Sequence, residues 1–185
     1  MSEEALQKQQ IIQCLKKLGK ELEAIQIQQP LRILMIGGAY MVTQIGNREI
    51  TSDVDVLAYI DRGTEDYTKL LTAASFVAID MHLSNRWLSD GIGNLLQSVG
   101  QVPSGKLWLK HGLLETYIPE PQYILALKLL AGGRDKDIDD IEVLFQILGI
   151  KKREQAEDLL KKYFSKQALE AYAPEIDQVL NAFFG

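Results

Sequence analysis

The stretch LRILMIGGAYMVTQIGNREITSDVD, residues 31–55, sets the expected fold of this chain. It begins with a short apolar run that stops at Gly37 and Gly38, which predicts a largely buried strand followed by a tight turn. Residues 39–45 have the pattern of a short helix, and residues 53–60 predict a second strand in which carboxylates and valines alternate. The order strand, glycine turn, helix, strand indicates a core that mixes α and β structure.

Outward from this stretch the pattern is mostly helical. Further helices are predicted over 3–27, 65–81, about 87–99, 122–131, 137–148 and within 151–184, and further strands over 107–109 and 113–118. We therefore expect an α/β (α+β) fold, with a small mixed sheet flanked by helices and a helical C-terminal part. The predicted domains are an α/β core with its N-terminal helix at 1–120 and a helical region, packed on that core, at 121–185.

Composition narrows the class of protein. The formal net charge of −5 argues against a protein that coats nucleic acid through bulk charge, although it leaves a local basic cleft open. Cys14 is the only cysteine, so no intramolecular disulfide can form, which suits a reducing compartment. The N-terminus lacks the pattern of a signal peptide, and no stretch approaches the roughly 20 apolar residues that cross a bilayer. We expect a cytoplasmic protein with no membrane contact.

The first candidate site is the pair Asp53 and Asp55. Residues two apart on a strand point to the same face, so the two carboxylates lie about 6–7 Å apart along the strand and repel each other when no cation is bound. Magnesium binds a couple of carboxylates together with phosphate oxygens and water, so this pair is a candidate Mg²⁺ site. The alternative is a solvated strand with two surface aspartates.

The second candidate is the glycine turn before that strand. Glycines at 37 and 38 let the backbone approach a phosphate closely, and the helix that follows directs its free N–H groups to the same place. An anion cradle would then precede a metal site by one helix. The alternative is an ordinary tight turn between a strand and a helix.

Taken together, these motifs resemble a known family. Gly-Gly-Ala-Tyr at 37–40 followed by Arg48-x-x-Thr51-x-Asp53-x-Asp55 resembles the signature of the DNA polymerase beta-type nucleotidyltransferase superfamily, at the long end of its spacing. It is similar to the branch with the AbiEii-type toxins and small bacterial nucleotidyltransferases. Three later segments continue the resemblance, which covers about 35–145: Trp87-Leu88-Ser89-Asp90, the lysine-bearing helix at 119–131, and the R-x-K-D-x-x-D segment at 134–140.

The resemblance implies a nucleotidyltransferase fold and assigns roles to residues. Gly37 and Gly38 would face the nucleotide phosphates, and the two aspartates at 53 and 55 would hold Mg²⁺. A third carboxylate of this superfamily comes from a later strand, and Glu115 is the candidate for it because it lies on the predicted strand 113–118. Its alternative is an outward strand position. Asp80 is a weaker candidate because its predicted position is in a helix.

Lys128 lies within an apolar helix, where a buried lysine needs a charged partner. By analogy that partner is a triphosphate or the active-site carboxylates, and the alternative is a lysine that extends to solvent. The related toxins use an acid in the 134–140 segment, which makes Asp137 a candidate catalytic residue or, alternatively, an N-cap. Arg48 and Arg134 are candidate phosphate contacts or simple surface charges, and Thr51 falls within the nucleotide-binding motif.

The expected function is therefore enzymatic. The protein would move a nucleoside monophosphate from a nucleoside triphosphate to an acceptor hydroxyl on tRNA, a protein or a small molecule. The resemblance to toxins also raises a toxin–antitoxin setting with a cognate partner protein. The alternative is a catalytically degenerate member of the fold that acts as a binding or regulatory partner.

Overall fold

The main sheet is small and mixed. The computed structural model describes residues 5–91, 93–133 and 135–185, and within them this sheet has five strands. The strands of the chain are β1 (Leu6–Gln7), β2 (Leu31–Met35), β3 (Ile50–Thr51), β4 (Val54–Ala58), β5 (Leu88–Ser89), β6 (Lys106–His111) and β7 (Leu114–Ile118). The main sheet has the order β5-β4-β2-β7-β6, with β2 antiparallel to β4 and parallel to β7. β1 and β3 pair separately.

Helices make up most of the rest of the described chain. They are α1 (Lys8–Ala24), α2 (Gly37–Tyr40), α3 (Glu65–Asp80), α4 (Gly93–Val99), α5 (Pro121–Leu130), α6 (Asp135–Leu148), α7 (Arg153–Tyr163), α8 (Lys166–Ala171) and α9 (Ala173–Phe184). α2 continues into a π-helical turn over Met41–Ile45, which ends at Gly46 with a positive φ of 78°. A mixed α/β fold with a small mixed sheet is thus confirmed.

The chain divides into two compact units. The sheet unit comprises Met1–Gly93 and Ser104–Pro119, and the helical unit comprises Asn94–Pro103 and Glu120–Gly185. The second boundary lies within one residue of the predicted domain boundary at 120/121. The segment 94–103 belongs to the helical unit, which the sequence did not predict.

The core of the sheet unit lies between one face of the main sheet and the helices α1 and α3. Val54 and Val56 of β4 are fully buried there, in the same cluster as the apolar face of α1 that the sequence predicted: Ile11, Cys14, Leu15, Leu18 and Leu22. Burial raises the pKa of the Cys14 thiol to about 11, so the thiol stays protonated at neutral pH. Because side chains alternate along a strand, the neighbours of the two valines point to the other face of the sheet.

One predicted helix, over about 87–99, was wrong in its first part. Residues Leu88–Ser89 are a strand parallel to β4, and the helix begins only at Gly93. The indole N–H of Trp87 donates to the carbonyl of Ala74 at 2.9 Å, and the carbonyl of Trp87 accepts from the amide of Val54 at 2.6 Å. Trp87 is therefore a core residue, and its contacts hold this segment extended beside β4.

None of the described helices is long and apolar enough to cross a membrane.

Candidate active site

The aspartate pair lies at the beginning of β4. Asp53 directly precedes the strand and Asp55 is its second residue, and both are half-buried. Their side chains point away from α1 and α3, because Val54 and Val56 occupy the core on that side. The hydroxyl of Ser52 donates to Asp53 Oδ1 at 3.3 Å. The two carboxylates therefore share the face of the sheet opposite to α1 and α3.

The glycine turn lies directly against this pair. The amide of Ile36 donates to the carbonyl of Asp55 at 2.9 Å, which joins the end of β2 to the start of β4. Gly37 has a φ of +65°, and a Cβ at this position would overlap Asp55 Oδ2. A Cβ on Gly38 would overlap Thr51 Oγ1. Both positions need glycine because side chains of the candidate site occupy the space of a Cβ.

Two further predicted residues border the same turn. Thr51 is buried, and its hydroxyl donates to the carbonyl of Asp53 at 3.2 Å. The pairing of Thr51 with Leu6 in the β1–β3 ladder fixes its position. Arg48 Nη1 lies 3.7 Å from the place that a Cβ of Gly38 would take. The structure thus brings Arg48 and Thr51 together with the glycine turn and the aspartate pair.

The donor set of this site fits magnesium with a phosphate-bearing ligand. Among the residues that the structure describes, no group of three or more His, Cys, Asp or Glu side chains could hold a metal ion. Magnesium does not require such a group, because it commonly takes one or two carboxylates and completes its shell with phosphate oxygens and water. Gly37 and Gly38 carry no side chain that would keep a phosphate from their own backbone, although Asp55 and Thr51 lie against them.

Replacing Gly37 with alanine is expected to destabilise the protein more than replacing Gly46 with alanine. Both positions have a positive φ, which costs alanine about 1–2 kcal/mol, but Gly46 has open space around it. At Gly37 the added methyl also collides with the Asp55 carboxylate, which adds about 1–3 kcal/mol. Chemical denaturation of the two variants measures the difference. Equal losses would mean that Gly37 and Asp55 are not in contact.

The structure does not place Glu115 beside the aspartate pair. Glu115 pairs with Arg32 of β2, whereas Asp55 bonds to Ile36, four residues further along that strand. β2 lies between β4 and β7 in the sheet. Four residues along the strand and two strand spacings therefore separate Asp55 from Glu115, which is about 13 Å along the strands and about 10 Å across them. The third carboxylate expected from the sequence is therefore not supplied by Glu115.

Glu115 belongs instead to a polar cluster at the other end of the sheet. Lys110 Nζ donates to its Oε1 at 2.8 Å, and the hydroxyl of Tyr117 donates to its Oε2 at 3.2 Å. The bond from Lys110 lowers the pKa of Glu115 and raises that of Lys110. The weaker candidate, Asp80, forms an ion pair with Lys17 of α1 at the end of α3. Both acids thus have partners outside the candidate site.

Lys128 and Asp137 lie together in the helical unit. Lys128 Nζ is 2.6 Å from Asp137 Oδ1 and 2.7 Å from Asp140 Oδ2, and all three residues are buried. The buried lysine thus has charged partners on α6 and does not extend to solvent, while its predicted contact with a triphosphate stays a prediction. Asp137 is the third residue of that helix and its carboxylate binds Lys128, so it is not the N-cap. The remaining predicted contact, Arg134, lies outside the described residues.

Ser89 is a site residue that the sequence analysis did not single out. β5 runs parallel to β4, and its register sets Ser89 opposite Asp55. Paired residues on adjacent strands share a face, so the Ser89 hydroxyl is on the same face as the two aspartates. Residues 87–90 were predicted to belong to a helix, so the pairing of Ser89 with Asp55 could not be predicted from them.

Comparison of the chain with protein-family models, with curated proteins and with solved structures found no significant match in any of the three.

Proposed function

We propose that the sheet unit binds phosphate groups through a divalent cation held by its aspartate pair. The particular activity is that of a magnesium-dependent nucleotidyltransferase with the fold of the DNA polymerase beta-type superfamily. It moves a nucleoside monophosphate from a nucleoside triphosphate to an acceptor hydroxyl, and releases pyrophosphate and a proton. The observation that carries the proposal is the contact of the Asp55 carboxylate with Gly37, beside Asp53.

The two aspartates bind the cation. Their shared face and separation of about 6–7 Å allow both to reach one ion or a pair of ions. Magnesium, when bound, neutralises charge on the phosphates and orients them for displacement. The chain's own contribution is to hold Asp53 and Asp55 rigidly, through the buried valines at 54 and 56 and through the bond from the Ile36 amide.

The glycine turn receives the phosphates. The first amides of the helical segment after Gly37 have no partner within the helix, which favours an anion at this end. Thr51 and Arg48 border the same turn, and a guanidinium is well suited to phosphate oxygens. The nucleotide phosphates would thus lie beside the turn and the aspartates, with Ser89 opposite Asp55 as a neighbouring hydroxyl.

The proposed acceptor is tRNA, a protein or a small molecule. The proposed setting is a cytoplasmic toxin–antitoxin pair in which this protein has a cognate partner protein. The second candidate function is a catalytically degenerate nucleotidyltransferase that binds nucleotides or a partner without transferring. The position of Glu115, bound to Lys110 away from the aspartate pair, favours this candidate. Two carboxylates still suffice to bind magnesium with phosphates, so both functions predict metal-dependent nucleotide binding.

A label-transfer screen separates the two functions. The protein is incubated with each of the four nucleoside triphosphates carrying a labelled α-phosphate, with magnesium and a cell extract. Magnesium-dependent transfer of label that Asp53→Asn abolishes supports the enzyme and identifies the acceptor class. Nucleotide binding without transfer supports the degenerate form. The absence of both transfer and magnesium-dependent nucleotide binding would contradict the proposal altogether.

A further inference from the structure

A cavity of about 320 Å³ lies in the sheet unit, away from the aspartate pair. α1, the residue after α3 and the last residue of β6 contribute its lining: Gln13, Lys16, Lys17, Lys20, Met81 and His111. α1 covers the face of the sheet on which Val54 and Val56 are buried, whereas Asp53 and Asp55 point to the opposite face. The cavity is therefore separate from the candidate active site.

The cavity is basic in an acidic chain. Its four residues from α1 follow the spacing i, i+3, i+4, i+7, which places them on one side of the helix. Lys17 is paired with Asp80, but Lys16 and Lys20 have no ion-pair partner in the described part of the chain. The formal charge of the whole chain is −5, so this concentration of ammonium groups is local. A concave surface with charges of one sign attracts ions of the other sign.

The walls of the cavity are held in place by backbone contacts. A Cβ on Gly19 of α1 would overlap the carbonyl oxygen of His111, so the β6–β7 hairpin lies directly on the helix. The amide of Leu113 donates to the carbonyl of Gly19 at 3.2 Å. The ion pair between Lys17 and Asp80 ties the same helix to the end of α3. The backbone of the site is thus held in place, whereas the side chains of Lys16 and Lys20 are exposed and become ordered only when a ligand binds.

We propose that this cavity binds a phosphate monoester of a small organic molecule. Lysine binds phosphate as a point charge, and Lys16 and Lys20 supply two positive charges for a phosphate dianion. The methylene stems of the lysines and the side chain of Met81 provide an apolar surface for the organic part. A volume of about 320 Å³ is at the small end of the range for metabolite sites. Binding at this cavity does not require the proposed transferase activity.

An NMR titration without divalent metal tests the proposal. The probes are glucose 6-phosphate, inorganic phosphate and glucose, added to ¹⁵N-labelled protein at constant low ionic strength. Glucose 6-phosphate is expected to shift the amides of residues 13–20 and 111–113 in a saturable manner and to bind more tightly than inorganic phosphate, while glucose causes no shifts. Shifts confined to residues 37–38 would show that the ligand binds at the glycine turn and not in the cavity. Equal affinities for glucose 6-phosphate and inorganic phosphate would show that the site does not recognise the organic part of a monoester.

Two charge-matched variants complete the test. Lys16→Ala with Lys20→Ala is expected to weaken binding of glucose 6-phosphate at least about tenfold, because both charges that face the phosphate are lost. Alanine favours the helix, so α1 remains formed, and circular dichroism checks this. Lys151→Ala with Lys152→Ala removes the same charge from exposed positions of the helical unit and should leave affinity unchanged. Equal affinities of the two variants would show that the cavity is not the site.

Discussion

Replacing Lys128 with methionine is expected to lower the free energy of unfolding by about 3–5 kcal/mol. The ammonium of Lys128 lies 2.6 Å from Asp137 and 2.7 Å from Asp140, and its side chain is only 7% exposed. Methionine preserves most of the apolar stem but leaves two buried carboxylates without this cation. The loss is measured by urea denaturation followed by circular dichroism, which reports on the helices.

Lys162→Met is the matched control for this variant. Lys162 is exposed and its nearest acid, Glu120, is 3.8 Å away, so the same substitution should change stability by less than about 0.5 kcal/mol. Similar losses in the two variants would contradict a buried ion-pair cluster at Lys128. A large loss for Lys128 alone would mean that the lysine–aspartate segment stabilises α5 against α6, whatever else it does.

Local patterns were sufficient to predict most elements of the fold. The apolar run of β2 ends at a glycine that must have a positive φ, and the alternation at β4 places valines in the core and aspartates on the other face. The periodicity of α1 identified its buried face. Each of these features depends on neighbours in the chain, so the residue pattern carries the information directly.

Features that depend on distant pairing could not be predicted in the same way. β5 has two residues and exists because Trp87 and Val54 bond to each other across the chain. The segment 94–103 joins the helical unit through bonds such as Ser165 to Val99 at 2.9 Å, between residues far apart in sequence. A short segment with two glycines has no periodicity strong enough to reveal either contact.

The candidate site also combines features that local sequence determines with features that depend on pairing between distant residues. The proximity of the glycine turn to Asp55 follows from one short helical connection between two strands, which the sequence contains in full. The position of Glu115 follows from the register of β7 against β2, and a register between strands about 80 residues apart in the chain is set by packing. The assignment of Glu115 required that register, and the register places it beside Arg32.

Asp53→Asn is expected to reduce nucleotidyl transfer by about a thousandfold while leaving the fold intact. Asparagine has nearly the same shape and still accepts the bond from Ser52, but it contributes no charge to a cation. Several kcal/mol of charge stabilisation disappear from the transition state, and each 1.36 kcal/mol is about a factor of ten in rate. Stability should change by less than about 0.5 kcal/mol, because Asp53 is half-buried and outside the core.

Metal binding provides a readout that does not need the acceptor to be known. Titration with Mn²⁺ in the presence of a nucleoside triphosphate, followed by calorimetry, should show at least about tenfold weaker cation binding in Asp53→Asn. Asp61→Asn removes the same charge from an exposed loop after β4 and should bind Mn²⁺ as the wild type does. If all three proteins bind the cation equally, the aspartate pair is a surface feature of β4. If only Asp53→Asn binds the cation more weakly, and neither the wild type nor either variant transfers label, the site binds nucleotides without catalysis.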